Sequence, residues 1–281
     1  MNLFLITTIK DLLKKHEAKP LKNLGQNFLI DRQVAKKIIE AADLSPSDNV
    51  LEIGPGFGTL TSMLAPKIKK IIAIEKDPKM SEVLRETLKD FNNIEIIQAD
   101  ILKLDPKTYL LSPYKIVANL PYYITSPLIR KFLESIELSP TLITLMIQKE
   151  VAQRICAKPP NMSILAISVQ FYAEAKIISY VSKKSFWPQP KVDSAIIKIK
   201  PQVKTNKKEI NNDLFFKVVR AGFSQPRKQL INNLSKELKI DKMKTREWLL
   251  KNKIQPTQRA ERLNVEDWIA LSKNLLQFTN A

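Results

Sequence analysis

The sequence predicts an α/β fold: a seven-stranded, mostly parallel sheet that ends in an antiparallel hairpin, followed by a small helical domain. Seven short apolar runs are separated, in most cases, by segments with helical spacing of apolar residues, which is typical of repeated strand and helix units. The last two runs are joined by a loop with no room for a helix, so we expect them to pair antiparallel. Beyond a polar run at 201–208 the apolar spacing turns helical.

The strands are expected at 49–53, 71–75, 94–98, 114–118, 141–147, 175–181 and 193–200. In a parallel sheet the carboxyl ends of the strands meet at one edge, and ligands bind outside that edge. The residues that follow the first four strands are therefore the candidates for a functional site.

A glycine-rich turn follows the first strand. The chain has only 5 glycines, and three of them, Gly54, Gly56 and Gly58, lie within five positions. Glycines at a strand-to-helix turn let the backbone approach a ligand closely, and the helix expected over about 59–65 offers free N–H groups at its start. The turn predicts a cofactor site.

Acidic residues end the second and third strands. Glu75 lies about 20 positions after the glycines, where a ribose diol is held in such folds. Asp100 follows the third strand and can accept a hydrogen bond from an adenine amino group. The glycine spacing is G-x-G-x-G rather than G-x-G-x-x-G, which disfavours a dinucleotide. S-adenosylmethionine is the cofactor that fits these strand ends together with the residues from Asn119 to Tyr122 that follow the fourth strand.

The fourth strand leads into Asn119-Leu120-Pro121-Tyr122, which suits methylation of an exocyclic amino group on a nucleic-acid base. Such an amine is a poor nucleophile because its lone pair is delocalised into the ring. The Asn119 side-chain carbonyl and the Leu120 backbone carbonyl can accept its two N–H groups and leave the lone pair facing a methyl donor. Pro121 stiffens the turn, and Tyr122 offers a ring for a flipped base. By itself the tetrapeptide also fits an ordinary turn.

These motifs resemble those of the class I, Rossmann-like methyltransferases, and the wider chain resembles the small-subunit (16S) ribosomal RNA adenine dimethyltransferases of the KsgA type. Three signatures carry the second resemblance, which covers about 10–271: KNLGQNFL at 22–29, FWPQPKVDS at 186–194 and FSQPRK at 223–228. Pro226 departs from the family pattern, which commonly has arginine there. The resemblance implies S-adenosylmethionine-dependent dimethylation of the N6 amino groups of two adjacent adenines in a hairpin loop of small-subunit RNA, linked to small-subunit assembly.

The resemblance also implies roles for single residues. Asn27 and Leu29 would close over the cofactor, and Gly54 would line its methionine end. The full cofactor-binding set is then Asn27, Leu29, Gly54, Gly56, Glu75 (ribose), Asp100 (adenine) and Asn119. Three residues would act on the target base, with Asn119 and Tyr122 presenting it and Phe186 stacking on its other face. No metal is expected.

Charge indicates a nucleic-acid partner independently of the motifs. The formal net charge is +18, and residues 201–281 hold half of this excess, with 17 basic and 8 acidic residues. We therefore expect a methyltransferase domain at 1–200 and a basic helical RNA- or ribosome-binding domain at 201–281. Its helices are expected near 212–222, 227–238, 242–252 and 264–277. Arg220, Arg227 and Lys228 surround a helical break and are expected to contact phosphates.

The single histidine, the single cysteine and the lack of long apolar runs limit the classes of protein to which the chain can belong. His16, the only histidine, lies in a polar run and is expected to be solvated, and Cys156 is the only cysteine, so no intrachain disulfide can form. No window approaches the roughly 18 apolar residues of a membrane span, and the apolar start at 1–6 is too short for a signal core. We expect a cytoplasmic monomer that acts on small-subunit ribosomal RNA or the immature small subunit.

Two alternatives remain open at this point. A large-subunit RNA adenine methyltransferase of the macrolide-resistance type shares the early motifs, although its tail is expected to differ around 223–228. A ribosome-assembly factor whose methylation is incidental also fits the basic tail. An oxidoreductase fits poorly, because nicotinamide chemistry gives no reason for the residues from Asn119 to Tyr122.

Overall fold

The chain folds into two units in a computed structural model, which describes residues 1–21, 24–105, 109, 113–134, 139–202 and 210–279. The first unit comprises 1–153 and 173–201, and the second comprises 154–172 and 202–281. Within the described ranges, no helix is long and apolar enough to cross a membrane.

The first unit carries the strands, and the predicted fold class is confirmed. Each predicted strand lies within two residues of an observed one at both ends. The strands are β1 (Phe28–Leu29), β2 (Asn49–Ile53), β3 (Lys70–Glu75), β4 (Ile94–Gln98), β5 (Lys115–Asn119), β6 (Leu142–Gln148), β7 (Ala173–Val181), β8 (Phe186–Trp187) and β9 (Ser194–Pro201).

Seven strands form one sheet in the order β4-β3-β2-β5-β6-β9-β7. The five strands from β4 to β6 are parallel, whereas β9 runs antiparallel to both β6 and β7. Consequently β7 points in the same direction as β6, and both strands end at the edge where β2 to β5 end. The central strands are buried along almost their whole length, as expected for a parallel sheet covered on both faces.

Among the described residues of the first unit, the helices that begin there are α1 (Ile6–Lys15), α2 (Arg32–Ala41), α3 (Thr61–Leu64), α4 (Pro78–Thr87), α5 (Thr125–Glu134) and α6 (Lys149–Ile155). The helix expected over 59–65 is shorter than predicted, since α3 passes into a 3-10 turn at Ala65–Lys67. Pro66 lies in that turn, and its missing N–H interrupts the α-helical hydrogen bonds.

A second, two-stranded sheet was not predicted. Strand β1 pairs antiparallel with β8, so that Leu29 lies opposite Phe186 and Phe28 opposite Trp187. The pairing joins segments about 160 residues apart in the chain. Two residues are too few for a sequence pattern to indicate a strand.

The second unit is helical: α7 (Ile164–Tyr172), α8 (Asn212–Gly222), α9 (Leu230–Leu238), α10 (Lys242–Lys251), α11 (Val265–Asn274) and α12 (Leu276–Thr279). The predicted boundary was a single division at residue 200, whereas residues 154–172 also belong to this unit rather than to the first. The cause is the strongly apolar α7, whose Phe171 stacks on Phe215 with ring centroids 4.1 Å apart. Of the predicted linker at 201–208, residues 203–208 lie outside the described residues.

The helix predicted over 227–238 begins three residues late. Buried Asn233 donates hydrogen bonds to the carbonyls of Gly222 (2.7 Å) and Gln225 (3.0 Å), which holds the preceding residues in a non-helical loop. The helix predicted over 264–277 ends at Asn274 in the structure and is followed by α12.

The expectation that His16 is solvated is wrong. Its side chain is only 16% exposed, and Nε2 lies 2.8 Å from Oε2 of Glu86 on α4. Lys15 binds the other oxygen of the same carboxylate at 2.7 Å. Lys15 and His16 therefore attach the end of α1 to α4 through Glu86.

Gly222 provides a test of the core of the second unit. A Cβ atom at this position would overlap the buried ring of Trp268, lying 2.8 Å from Cζ3. A glycine-to-alanine change inside a helix usually stabilises by about 1 kcal/mol. Here we expect the opposite sign: Gly222→Ala should lower the free energy of unfolding by roughly 1–3 kcal/mol through overpacking, as measured by urea denaturation. A variant as stable as the wild type would show that this contact is relieved without cost.

Candidate active site

A cleft opens at the carboxyl edge of the parallel strands. It encloses about 1030 Å³, the open mouth included, and the ends of β2, β3, β4 and β5 contribute to its walls. Nine residues predicted from the sequence line it together: Asn27, Leu29, Gly54, Gly56, Glu75, Asp100, Asn119, Tyr122 and Phe186. The three predicted phosphate contacts, Arg220, Arg227 and Lys228, are exposed residues of the second unit and do not line the cleft.

The glycine turn is held by the carboxylate that ends β3. Gly56 N–H donates to Oε2 of Glu75 at 3.2 Å, and Asp77 N–H donates to Oε1 at 2.9 Å. Gly54, Gly56 and Gly58 all have positive φ, between +58° and +80°, a region that side chains disfavour. Burial raises the pKa of Glu75, although hydrogen bonds from the backbone of Asp77, Gly56 and Lys76 oppose this rise. A carboxylate offers about four lone-pair sites, so these donors leave acceptor capacity for a ligand hydroxyl.

The other predicted cofactor carboxylate, Asp100, is already paired. Lys76 Nζ lies 3.0 Å from its Oδ2, and the backbone N–H of Leu102 donates to Oδ1 at 3.0 Å. Burial opposes ionisation, but these two hydrogen bonds hold the pKa of Asp100 below its usual value. Asp100 is therefore an anionic acceptor in the cleft.

The segment before α2 is fastened over the cleft by side chains. Gln26 donates to Oδ2 of Asp77 at 2.8 Å, and its own carbonyl accepts from the backbone of Leu21 at 2.7 Å. Ile30 N–H donates to the carbonyl of Ser185 at 2.9 Å, which continues the β1–β8 pairing. These bonds hold Asn27 and Leu29 beside the glycine turn.

The orientation of the Asn119 amide is determined by its hydrogen bond. Nδ2 donates to the backbone carbonyl of Asn27 at 3.2 Å. With the nitrogen assigned in this way, Oδ1 is the atom left to accept a hydrogen bond from a ligand. Next to it, Pro121 has φ −56° and ψ 131°, the extended geometry expected for the turn.

Tyr122 is held by a hydrogen bond to the start of β9. Its hydroxyl lies 2.9 Å from Oγ of Ser194, the fully buried first residue of β9. Burial raises the pKa of Tyr122, so the phenol is neutral at physiological pH. Phe186 is only 3% exposed and is positioned by its pairing with Leu29.

One carboxylate in the cleft wall received no role from the sequence. Glu52 on β2 is 1% exposed, and among the described residues its Oε2 has no hydrogen-bond partner. Burial raises its pKa to about 8, and the charge of nearby Glu75 adds to the rise. Glu52 is therefore a neutral acid at pH 7.

Sequence reasoning also missed Gln26, Lys76 and Ser194 as site residues. Gln26 and Ser194 lie within the signature stretches that carried the resemblance, whereas nothing in the sequence distinguished Lys76. An acid inside the apolar strand that precedes the glycine turn was the available signal for Glu52. Over the described ranges, no group of three or more histidine, cysteine or acidic residues is arranged to hold a metal ion.

The sequence matches known proteins over most of its length. The family described as ribosomal RNA adenine dimethylase matches residues 18–277. Ribosomal RNA small subunit methyltransferase A from Dehalococcoides mccartyi is 43% identical over 266 residues, covering 94% of this chain and 91% of the relative. The protein of the same name from Clostridioides difficile is 40% identical over 270 residues, covering 94% and 93%.

Two solved structures resemble the whole fold. A dimethyladenosine transferase from Plasmodium falciparum superposes with a TM-score of 0.73 at 30% identity, covering 90% of this chain and 98% of its own. The 23S rRNA methyltransferase ErmE superposes with a TM-score of 0.72 at 28% identity, covering 89% and 100%. Because the two scores are nearly equal, the fold by itself does not distinguish a small-subunit from a large-subunit RNA substrate.

The neutral state of Glu52 predicts a pH dependence of stability. Above its unfolded-state pKa of 4.5 and up to its folded-state pKa of about 8, the native protein holds a proton that the unfolded chain has lost. This one group therefore lowers the free energy of unfolding by about 1.4 kcal/mol per pH unit across that window. Glu52→Gln should match the wild type near pH 5 and be the more stable protein at pH 8.

Urea denaturation at pH 5, 6.5 and 8 measures this difference. Glu95→Gln, on the half-exposed side of β4, is the matched control. Parallel pH profiles for wild type and Glu52→Gln would contradict a raised pKa.

Proposed function

The chain belongs to the ribosomal RNA adenine dimethylase family, and we propose that it transfers methyl groups from S-adenosylmethionine to the N6 amino groups of two adjacent adenines in a hairpin loop of small-subunit ribosomal RNA. Family membership makes it an rRNA adenine methyltransferase. The observation that carries the finer proposal is the single cleft in which Glu75 and Asp100 face the same space as Asn119 and Tyr122.

The cofactor fits the donors that the cleft provides. The glycine turn leaves room for close backbone approach, since a Cβ at Gly54 would meet only Pro121, and Glu75 keeps acceptor capacity for a ribose diol. Asp100 is an ionised acceptor for the adenine amino group. When bound, S-adenosylmethionine supplies an electrophilic methyl group.

The protein's own contribution is to position the target amine. Oδ1 of Asn119 and the backbone carbonyl of Leu120 accept its two N–H groups, which directs the lone pair away from the protein acceptors. Tyr122 stacks on the adenine ring, with Phe186 on the opposite face. Holding the reactants in this geometry supplies most of the acceleration. No strong general base is required, because methylation acidifies the amine and water can remove the proton afterwards.

The relatives favour a small-subunit substrate. Proteins named for the small subunit are 40–43% identical to this chain over more than nine-tenths of its length, against 28% for the 23S rRNA enzyme. We infer that the partner is small-subunit RNA or the immature small subunit, that the basic residues of the second unit contact its phosphates, and that the enzyme acts as a cytoplasmic monomer.

The proposal is tested by mapping methyl groups. The protein is incubated with labelled S-adenosylmethionine and either undermethylated small subunits, naked small-subunit RNA or large-subunit RNA. N6,N6-dimethyladenine at two adjacent positions of a small-subunit hairpin is the expected product. Label confined to large-subunit RNA would instead assign the activity of the ErmE type.

Asn119→Ala separates chemistry from binding. The change removes the acceptor for the target amine, so methylation of small-subunit RNA should be abolished while RNA affinity stays near the wild-type value. Single-turnover methylation and an RNA binding titration measure the two effects. Near-normal methylation by the variant would contradict the proposed mechanism.

The contact between Tyr122 and Ser194 predicts coupled effects on methylation. If Ser194 acts by holding the Tyr122 ring, Ser194→Ala and Tyr122→Phe should each slow single-turnover methylation severalfold, and the double variant should be no slower than Tyr122→Phe. The expected coupling is about 1 kcal/mol, that of one hydrogen bond. Additive losses in the double variant would show that Ser194 acts independently of Tyr122.

The three basic residues around the end of α8 are tested by charge removal. The triple change of Arg220, Arg227 and Lys228 to alanine should flatten the dependence of RNA binding on salt. A variant that neutralises fewer phosphates releases fewer counterions when it binds. Methylation of structured substrate should fall while S-adenosylmethionine affinity remains unchanged. An unaltered affinity and salt slope would show that these residues are only a solvated surface.

A further inference from the structure

We propose that the part of the sheet edge beyond Tyr122 binds the single-stranded RNA that flanks the target adenine. The proposed surface, called here the edge platform, consists of Tyr180, Lys149, Lys183 and Lys184, all in the first unit. The proposal rests on the proposed function, since it assigns a second contact to the same RNA. It is independent of Arg220, Arg227 and Lys228 in the second unit.

The topology of the sheet places the edge platform on the same side as the cleft. Lys149 directly follows β6, and Tyr180 to Lys184 span the end of β7, and both strands end at the cleft edge. From β5, which carries Asn119, the order continues through β6 and β9 to β7. At about 4.8 Å per strand, β7 lies roughly 14 Å from β5 along this edge. The cofactor half of the edge lies on the other side of Asn119, toward β4.

Hydrogen bonds to Asp193 connect the platform to the residue before Ser194, which contacts Tyr122. Asp193 precedes Ser194, whose Oγ lies 2.9 Å from the Tyr122 hydroxyl. The carbonyl of Asp193 accepts from Lys149 N–H at 3.0 Å, and its Oδ1 accepts from Lys183 N–H at 3.0 Å. The segments that carry Lys149 and Lys183 are therefore both bonded to the residue next to Ser194, which fixes their positions relative to Tyr122.

The platform carries the groups that single-stranded RNA requires, with Tyr180 and Lys184 exposed and Lys149 and Lys183 half-buried. Tyr180 is 54% exposed, and Lys149 Nζ lies 5.1 Å from its ring centroid. An aromatic ring beside lysines offers stacking to a base and charge to the neighbouring phosphates. Glu150 is the exposed acid on the adjacent helix, whereas the Asp193 carboxylate already accepts a hydrogen bond. The excess of positive charge favours a polyanion, and the exposed ring of Tyr180 favours one that carries bases.

Lys176 provides the matched control. It is exposed on the same strand β7, four residues before Tyr180 and away from the cleft edge. Lysines on an edge strand also serve to prevent pairing with other chains. If the platform lysines had only that role, their removal would affect RNA binding no more than removal of Lys176.

The test measures binding of a fluorescently labelled small-subunit hairpin with its single-stranded loop, by anisotropy at several salt concentrations. Tyr180→Ala should weaken binding roughly tenfold through lost stacking, and Tyr180→Phe should restore most of it. Lys183→Ala combined with Lys184→Ala should reduce the salt slope by about 0.7 per lysine. Lys176→Ala should bind as the wild type does. S-adenosylmethionine affinity, measured separately by calorimetry, should be unchanged in every variant.

Three outcomes would overturn the edge platform. Wild-type affinity and salt slope in the Tyr180 and double-lysine variants would remove the surface from the RNA path. An equal loss in Lys176→Ala would indicate diffuse charge rather than a site, and an equal loss in Tyr180→Phe would exclude stacking. If the wild type binds and methylates the hairpin but these variants do so equally well, only the platform fails. If the wild type neither binds nor methylates it, the proposed function fails as well.

Discussion

The cleft depends on the hydrogen bonds that the carboxylate of Glu75 accepts from the backbone. It is buried at the end of one parallel strand and accepts hydrogen bonds from Gly56, at the end of the adjacent strand, and from Asp77. These donors offset part of the cost of burying a charge. They also hold the glycine turn in its positive-φ conformation, which side chains disfavour, and a Cβ at Gly56 would make a tight contact of 3.1 Å with the ring of Phe28.

From this turn the site is assembled from segments far apart in the chain. The segment at 24–29 packs over the turn and orients Asn119 through the carbonyl of Asn27. The same segment pairs with β8 and thereby positions Phe186, while the start of β9 holds Tyr122 through Ser194. These groups in the cleft wall are thus held by backbone pairing and by the buried hydroxyl of Ser194, which fixes their positions before a ligand binds.

Much of the fold could be predicted from sequence because its signals are local. Apolar runs of strand length indicated the sheet, and the glycines, acids and tetrapeptide at the strand ends indicated six of the nine cleft residues. The other three, Asn27, Leu29 and Phe186, were implied only by the family resemblance. What could not be predicted depends on contacts between distant residues. The two-stranded pairing of 28–29 with 186–187, the hydroxyl contact of Ser194 and the attachment of His16 to Glu86 leave no periodic trace. The transfer of residues 154–172 to the helical unit likewise follows from packing of α7 against Phe215, since its apolar composition fits either unit.

Glu75 is the residue on which the proposed S-adenosylmethionine site depends, and calorimetric titration of that cofactor into wild type and Glu75→Ala tests this assignment. Glu95→Ala, which removes a half-exposed carboxylate paired with Lys70, is the control. This assignment predicts that Glu75→Ala remains folded and loses about 1.5–3 kcal/mol of binding free energy, the range for a hydrogen bond to a charged group, while Glu95→Ala binds normally. Wild-type affinity in Glu75→Ala, or tight binding of NADH by the native protein, would contradict it.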